Sequence, residues 1–177
     1  MKGQKMDGSI QVYYGNGRGK TTAALGLGIR AAGVGKQVIM VQFLKKKHSD
    51  TLDFLKKLEP ELQIFRFEKA ACGYSDLSPK EKQEQMLNIK NALGYSRKVL
   101  DTGQCDLLIL DEIFGLVDYN IITIEELMDL IAVKKDSMDL ILTGRNLPEE
   151  VREIADCVYS IQREKEKTPE ILAQGNF

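Results

Sequence analysis

The sequence has no tryptophan, one histidine and three cysteines. Each shortage removes a class of explanation. Cys72, Cys105 and Cys157 stand far apart with no Cys-x-x-Cys spacing. Neither a disulfide framework nor a zinc site is expected from them, and a reducing compartment fits. The single histidine, His48, excludes any mechanism that needs a pair. The longest uncharged stretch near the start, residues 8–17, is broken by glycines. It falls far short of the ~20 apolar residues of a membrane span. The opening MKGQKMDGSI has no apolar run, so no signal peptide is predicted. Charge of one sign is also lacking: 25 Lys and Arg face 26 Asp and Glu, a net charge of −1. A protein built to coat nucleic acid carries a basic excess. The expectation is therefore cytoplasmic, with neither membrane nor nucleic acid as partner.

What the chain does have is hydrophobic residues enough for a core, 43% of its 177 residues. The length predicts one domain over residues 1–177, with residues 1–9 as a flexible arm. There is no repeat and no long linker. Short runs rich in Val, Ile and Leu fall at 10–14, 37–43, 62–67, 106–110, 138–142 and 157–161. Their composition suits strands buried on both faces. Helical stretches fit between them at 20–34, 50–58, 79–101 and 147–155, and another follows Thr123. Ser78-Pro79-Lys80-Glu81 and Thr123-Ile124-Glu125-Glu126 are capping boxes, the first with proline at N1. Alternating strands and helices predict an α/β fold with a mostly parallel sheet. Ligands then gather at the C-terminal ends of the strands.

The most informative segment is Gly15-Asn16-Gly17-Arg18-Gly19-Lys20-Thr21-Thr22. It follows a strand and opens a helix, the setting a phosphate-binding loop requires. Glycines let several backbone N–H groups converge on one anion, and the helix adds its positive end. Lys20 would lay an ammonium against phosphate oxygens, and the Thr21 hydroxyl would be a Mg²⁺ ligand. The usual G-x-x-x-x-G-K-[ST] spacing calls for glycine at position 14, where this chain has Tyr14, so the loop is a variant. A second signal is Asp106-Leu-Leu-Ile-Leu-Asp111-Glu112, an apolar strand ending in two acids. In P-loop proteins an acid at that place completes the Mg²⁺ site. Adjacent acids point different ways, so Asp111 and Glu112 need not share a role. Another strand closes with Leu142-Thr143-Gly144-Arg145-Asn146. Its arginine is either a solvated side chain or a charged fork reaching the phosphates. Lys45-Lys46-Lys47 reads as a solvated face able to attract an anion.

Together these residues resemble a family. Gly15 through Thr22 with Ala23-Ala24, then Arg30-Ala31-Ala32-Gly33 and Val41-Gln42-Phe43, are similar to the P-loop type of cob(I)alamin (corrinoid) adenosyltransferase. So are Leu110-Asp111-Glu112, Leu142-Thr143-Gly144-Arg145, Ala155-Asp156 and Ile171-Leu172-Ala173-Gln174-Gly175. That family's loop also lacks the first glycine of the usual motif. The resemblance implies a single-domain, RecA-like α/β P-loop fold. It implies an enzyme that moves the 5′-deoxyadenosyl group of ATP to reduced corrinoid cobalt and releases triphosphate. It puts Gly15, Asn16, Gly17, Arg18, Gly19, Lys20, Thr21 and Thr22 on the triphosphate, with Arg30 and Arg145 as further nucleotide contacts. Thr21 and Glu112, with Asp111 beside them, would hold Mg²⁺. The implied partners are ATP, the reduced corrinoid, an electron-donor protein and a second copy of the chain. The family's aromatic Gly-Phe-Thr-Trp segment corresponds here to Gly73-Tyr74-Ser75-Asp76. Tyr74 stands for the phenylalanine as a corrinoid contact, and Asp76 departs from the tryptophan. Two other classes stay open: another P-loop small-molecule kinase or NTPase, and a non-catalytic corrinoid or nucleotide carrier. The arginine-rich lid of a kinase and the Asn-Lys-x-Asp of a GTPase are both absent from the sequence.

Overall fold

The computed structural model describes residues 7–45, 55–67 and 74–165. Its elements in chain order are β1 (Ile10–Tyr14), α1 (Lys20–Ala32), β2 (Val38–Gln42), a 3₁₀ turn (Lys56–Leu58), β3 (Leu62–Arg66) and a second 3₁₀ turn (Tyr74–Asp76). Then follow α2 (Pro79–Thr102), β4 (Leu107–Asp111), α3 (Ile113–Asp118), α4 (Ile124–Ala132), β5 (Asp139–Gly144), α5 (Glu149–Ile154) and β6 (Cys157–Ser160). The six strands form one sheet in the order β3-β2-β4-β5-β1-β6, and every pairing is parallel. This is the α/β architecture the alternation predicts.

The central strands β2 and β4 are buried at every position, which explains their unbroken apolar runs. One face of the sheet packs on α1, where Ala24 meets Met40 and Ile109 in a small cluster. Gly28 of α1 lets the helix sit close: a Cβ there would stand 3.1 Å from Ile109 Cδ1. The other face carries the larger core with α2 to α5, including Ile89, Phe114, Leu127 and Val151. Both expected capping boxes form, with Ser78 accepting from the Glu81 amide and Thr123 from the Glu126 amide.

Three expectations change. The helix expected over 50–58 is, within the described residues, only the 3₁₀ turn after Leu55; residues 50–54 lie outside them. The helix α3, directly after the acidic pair, had no place in the sequence reading. It is six residues long and mostly buried, too short to show a helical stripe. The flexible arm expected over 1–9 is anchored at its end. The Ser9 amide and hydroxyl both donate to Asp139 Oδ1, at 2.9 and 3.0 Å, and Gly8 bonds to the Asp136 carbonyl. Residues 1–6 lie outside the described residues, as do Lys46, Lys47, His48, Cys72 and Gly73.

Candidate active site

The loop between β1 and α1 is shaped by contacts that only glycine permits. Gly19 lies at φ +109°, the left-handed region closed to most side chains. Gly15 and Gly17 press against the chain after β6. A Cβ on either would stand 2.4 or 2.7 Å from the Ile161 carbonyl oxygen. The Gly17 amide donates to that carbonyl at 2.9 Å. No side chain caps the start of α1, so its first N–H groups face the cleft as an anion site. Lys20 Nζ folds back onto the loop, donating to the Gly15 carbonyl at 2.7 Å and the Gly17 carbonyl at 3.0 Å. Burial lowers the pKa of this lysine, and Arg145 and Lys45 add to the effect while Glu112 and Asp111 oppose it. A dense cationic pocket of this kind gains most when an anion enters.

Asp111 ends β4 and has no exposed surface. A buried carboxylate is tolerated only when paired and hydrogen-bonded. Here Thr143 Oγ1 donates to Oδ1 at 2.7 Å, and Gln42 Nε2 donates to Oδ2 at 3.0 Å. The Thr21 hydroxyl lies 2.9 and 3.0 Å from the two oxygens. Lys45 Nζ supplies the charge, 3.4 Å from Oδ2. Register explains the convergence. Gln42 is the partner of both Asp111 on β4 and Arg66 on β3, so three strand ends align. Arg66 Nε in turn donates to Gln42 Oε1 at 2.7 Å.

Glu112 does something different from its neighbour. Its backbone turns to φ +63°, unusual for a non-glycine residue. Its amide donates to Thr143 Oγ1 at 2.8 Å, and its side chain lines the cleft. The two acids therefore part company: Asp111 points into a buried network and Glu112 opens to the ligand space. Thr21, Asp111 and Glu112 present hard oxygen donors of the kind Mg²⁺ prefers.

The cleft has a volume of about 730 Å³, within the range of sites that hold a nucleotide-sized ligand. One wall is Asn16 to Thr21; Arg145 and Asn146 follow β5; Lys45 and Glu112 complete the polar side. Part of the lining is aromatic. Tyr74 and Tyr119 both belong to it, their ring centroids 5.2 Å apart, with Lys82 Nζ 5.7 Å from the Tyr74 centroid. Tyr74 begins the 3₁₀ turn that leads to the Ser78 cap, so it serves the turn and the cleft at once. Asp76 is exposed.

The structure thus gathers Asn16, Gly17, Arg18, Gly19, Lys20, Thr21, Glu112, Arg145 and Tyr74 around one space, with Gly15 and Asp111 directly behind. It leaves two residues out. Thr22 is exposed on the first turn of α1 and is not part of the cleft wall. Arg30 sits ten residues along α1 from Lys20, about 15 Å at the helical rise, exposed and away from the cleft. Tyr14, the departure from the usual loop, points to α5, where the Arg152 guanidinium lies 5.4 Å from its ring. The sequence reading missed Gln42, Thr143, Tyr119 and Lys45 as site residues. The lysine run reads as a solvated face able to attract an anion, and its first member, Lys45, is paired with buried Asp111. A usable signal for two of these was present: Gln42 and Thr143 are polar residues near the C-terminal ends of apolar strands.

Comparison with known proteins agrees with this geometry. The chain is 30% identical to the corrinoid adenosyltransferase of Escherichia coli K12 over 155 residues, 88% of this chain and 76% of that one. It is 30% identical to the corrinoid adenosyltransferase CobA of Salmonella typhimurium over 159 residues, 90% of this chain and 79% of that one. Among solved structures, a KaiC-like protein of Pyrococcus horikoshii superposes with a TM-score of 0.56 at 19% identity, covering 88% of this chain and 72% of that one, a likeness of fold. Residues 6–174 match the ATP:corrinoid adenosyltransferase BtuR/CobO/CobP pattern, and the chain belongs to that family of enzymes.

Proposed function

We propose that the chain transfers the 5′-deoxyadenosyl group of Mg²⁺-bound ATP to the Co(I) of a reduced corrinoid, giving an adenosylated corrinoid and triphosphate. The observation that carries this reading is the composition of the cleft. A phosphate loop with acids beside it and a pair of tyrosine rings line the same space. A Co–C5′ bond would form as the C5′–O bond breaks, and the departing electron pair would go to the triphosphate. No proton need be moved. Lys20, the uncapped N–H groups of α1 and Arg145 would stabilise the charge that collects on the leaving group. Thr21 Oγ1 and Glu112 would hold Mg²⁺, with Asp111 behind them fixing the threonine hydroxyl. When bound, that ion would supply further charge neutralisation on the triphosphate. Tyr74 and Tyr119, two rings tilted against each other, would offer the corrinoid aromatic surface, and holding C5′ in line with cobalt is the other contribution. Cytoplasmic location, a homodimer and an electron-donor protein complete the proposal. Among the described residues no helix is long and apolar enough to cross a membrane.

The test is an anaerobic assay with MgATP and chemically reduced cob(I)alamin, measuring adenosylcobalamin and triphosphate together. Equal yields of both are expected. Release of ADP, with no adenosylcobalamin, would move the chain to the kinases or NTPases. Binding of both ligands without turnover would make it a carrier.

A further inference from the structure

The cation already present at Asp111 has a consequence for metal entry. Asp111 is fully buried, and a buried carboxylate without a charge partner is strongly unfavourable. Its charge partner is Lys45, with Nζ 3.4 Å from Oδ2. The same ammonium donates to Thr21 Oγ1 at 3.1 Å. Lys45 therefore touches Thr21, one of the two proposed Mg²⁺ holders, and Asp111, which fixes that threonine hydroxyl. A Mg²⁺ ion sits about 2.0–2.1 Å from its oxygens. Placed on Thr21 Oγ1, it would lie within a few ångströms of the ammonium, where like charges repel strongly in a part-buried setting.

The backbone shows that this placement is built in. Lys45 follows the end of β2 by three residues, and the turn that brings it back runs through Leu44 at φ +54°. A branched side chain in the left-handed region is strained by about 1 kcal/mol. The turn is held because Leu44 packs where Gly115 has no side chain; a Cβ there would stand 2.7 Å from Leu44 Cδ1. The ammonium itself is part-exposed at the end of a flexible stem, and Lys45 lines the cleft. It has somewhere to go.

We propose that Lys45 is the resident counter-cation of Asp111 and that Mg²⁺ entering with the nucleotide displaces it. The inference rests on the Mg²⁺ site proposed above.

The experiment compares unmodified protein with Lys45→Met and Lys45→Arg by thermal melting, without nucleotide and with saturating MgATP. Without nucleotide, Lys45→Met should melt several degrees lower, roughly the shift expected for about 1–2 kcal/mol in a chain of this size. With MgATP the gap should close to about a degree, because the metal has replaced the ammonium. Lys45→Arg, which keeps the charge, should show the smaller gap throughout. The Mg²⁺ concentration for half-maximal ATP binding should fall about threefold or more in Lys45→Met, since the competing charge is gone. A gap that persists or widens with MgATP overturns the inference. So does an unchanged or higher Mg²⁺ requirement. If Lys45→Met does not fold, a structure of the unmodified protein with MgATP decides: the ammonium should have left Thr21 Oγ1 and Asp111, and its remaining there beside the metal overturns the inference. An unmodified protein whose ATP binding ignores Mg²⁺ would remove the metal site itself. A Mg²⁺-dependent protein with an unaltered gap would remove only the role of Lys45.

Discussion

Replacing Thr143 by valine removes one hydroxyl and leaves the side-chain volume nearly unchanged. The residue has no exposed surface. Its hydroxyl donates to Asp111 Oδ1 at 2.7 Å and accepts from the Glu112 amide at 2.8 Å. Valine would orphan the Glu112 amide and take one of several partners from the Asp111 carboxylate, against which it would set a methyl group. A hydrogen bond to a charged group contributes about 1.5–3 kcal/mol, and an unsatisfied buried amide costs about 1–3 kcal/mol. The two losses share one site and do not simply add. A total of about 2–4 kcal/mol is expected, a large part of the stability of an ordinary domain. Urea unfolding should show the lower midpoint with an unchanged slope. Thr143→Ser keeps the hydroxyl and loses only a buried methyl, so it should recover most of the stability, within about 1 kcal/mol. The Glu112 amide is also the anchor of a strained turn, so Thr143→Val should raise the Mg²⁺ requirement for ATP binding, and Thr143→Ser should not. A valine variant within about 0.5 kcal/mol of the parent, or a serine variant as unstable as valine, would refute the reasoning.

Three further outcomes follow from the same geometry. Lys20→Ala deletes the ammonium folded on the loop carbonyls and should weaken ATP binding by tenfold or more, on the order of 1.4 kcal/mol; calorimetry showing unchanged affinity would discard the phosphate-loop assignment. Gly144→Ala would drive a Cβ to 2.4 Å from Phe114 Cβ in the buried α3, so it should cost about 1–3 kcal/mol by overpacking and shift Glu112 with it; equal stability and ATP affinity would show that α3 yields freely. Burial acts to raise the pKa of Asp139, but bonds from the Ser9 amide and from the Lys36 and Ser9 side chains outweigh it, and the net shift is downward. A depressed carboxylate stabilises the fold above its unfolded pKa, near 3.9, and that contribution is lost as pH falls through the lower folded value. Asp139→Asn should therefore flatten the acid side of the stability profile below about pH 4 while lowering stability at neutral pH; parallel profiles would contradict the pairing.

How much of this was legible in the sequence depended on distance along the chain. The phosphate loop is written in eight consecutive residues, and its strand and helix context is local, so position and chemistry could both be read. The central strands β2 and β4 were legible because burial on both faces leaves unbroken runs such as Leu107 to Leu110, whereas β6 is mostly exposed. Helix α3 was not legible, because a six-residue buried helix has no polar side to give it a period. The Asp111 network was not legible for another reason. Its members Thr21, Gln42, Lys45 and Thr143 are brought together only by strand order and register, and β5 lies between β1 and β4. Nothing local to Lys45 distinguishes it from Lys46 and Lys47; only the turn at Leu44 does. Arg30 is the opposite case. Its motif resembles the family's, but ten residues along α1 from Lys20 the helical rise sets it apart from the residues that line the cleft.

The strand order also explains why the two acids divide their work. With β5 inserted, Asp111 lies two strands from β1, about 10 Å away, across a gap that must be filled. The Thr21 hydroxyl reaches across it to Asp111, while Thr143, on the intervening strand, bonds both the Asp111 carboxylate and the Glu112 amide at the end of β4. The Thr143 hydroxyl fixes where β4 ends and where the chain turns. The turn at φ +63° then sends Glu112 outward while α3 starts immediately behind it. The start of α3 at Ile113 and the close contact of Phe114 with Gly144 leave Glu112 little freedom to move back. A buried acid that orders the threonine hydroxyl and an open acid that meets the ligand are thus one structural solution. Changing either should affect metal binding differently. Asp111→Asn should lower stability first, because it disturbs a buried paired charge. Glu112→Gln should leave stability nearly intact and raise the Mg²⁺ requirement alone. Measuring unfolding and Mg²⁺-dependent ATP binding on both variants separates the roles. Equal losses of stability in the two would show that the acids act as one buried unit.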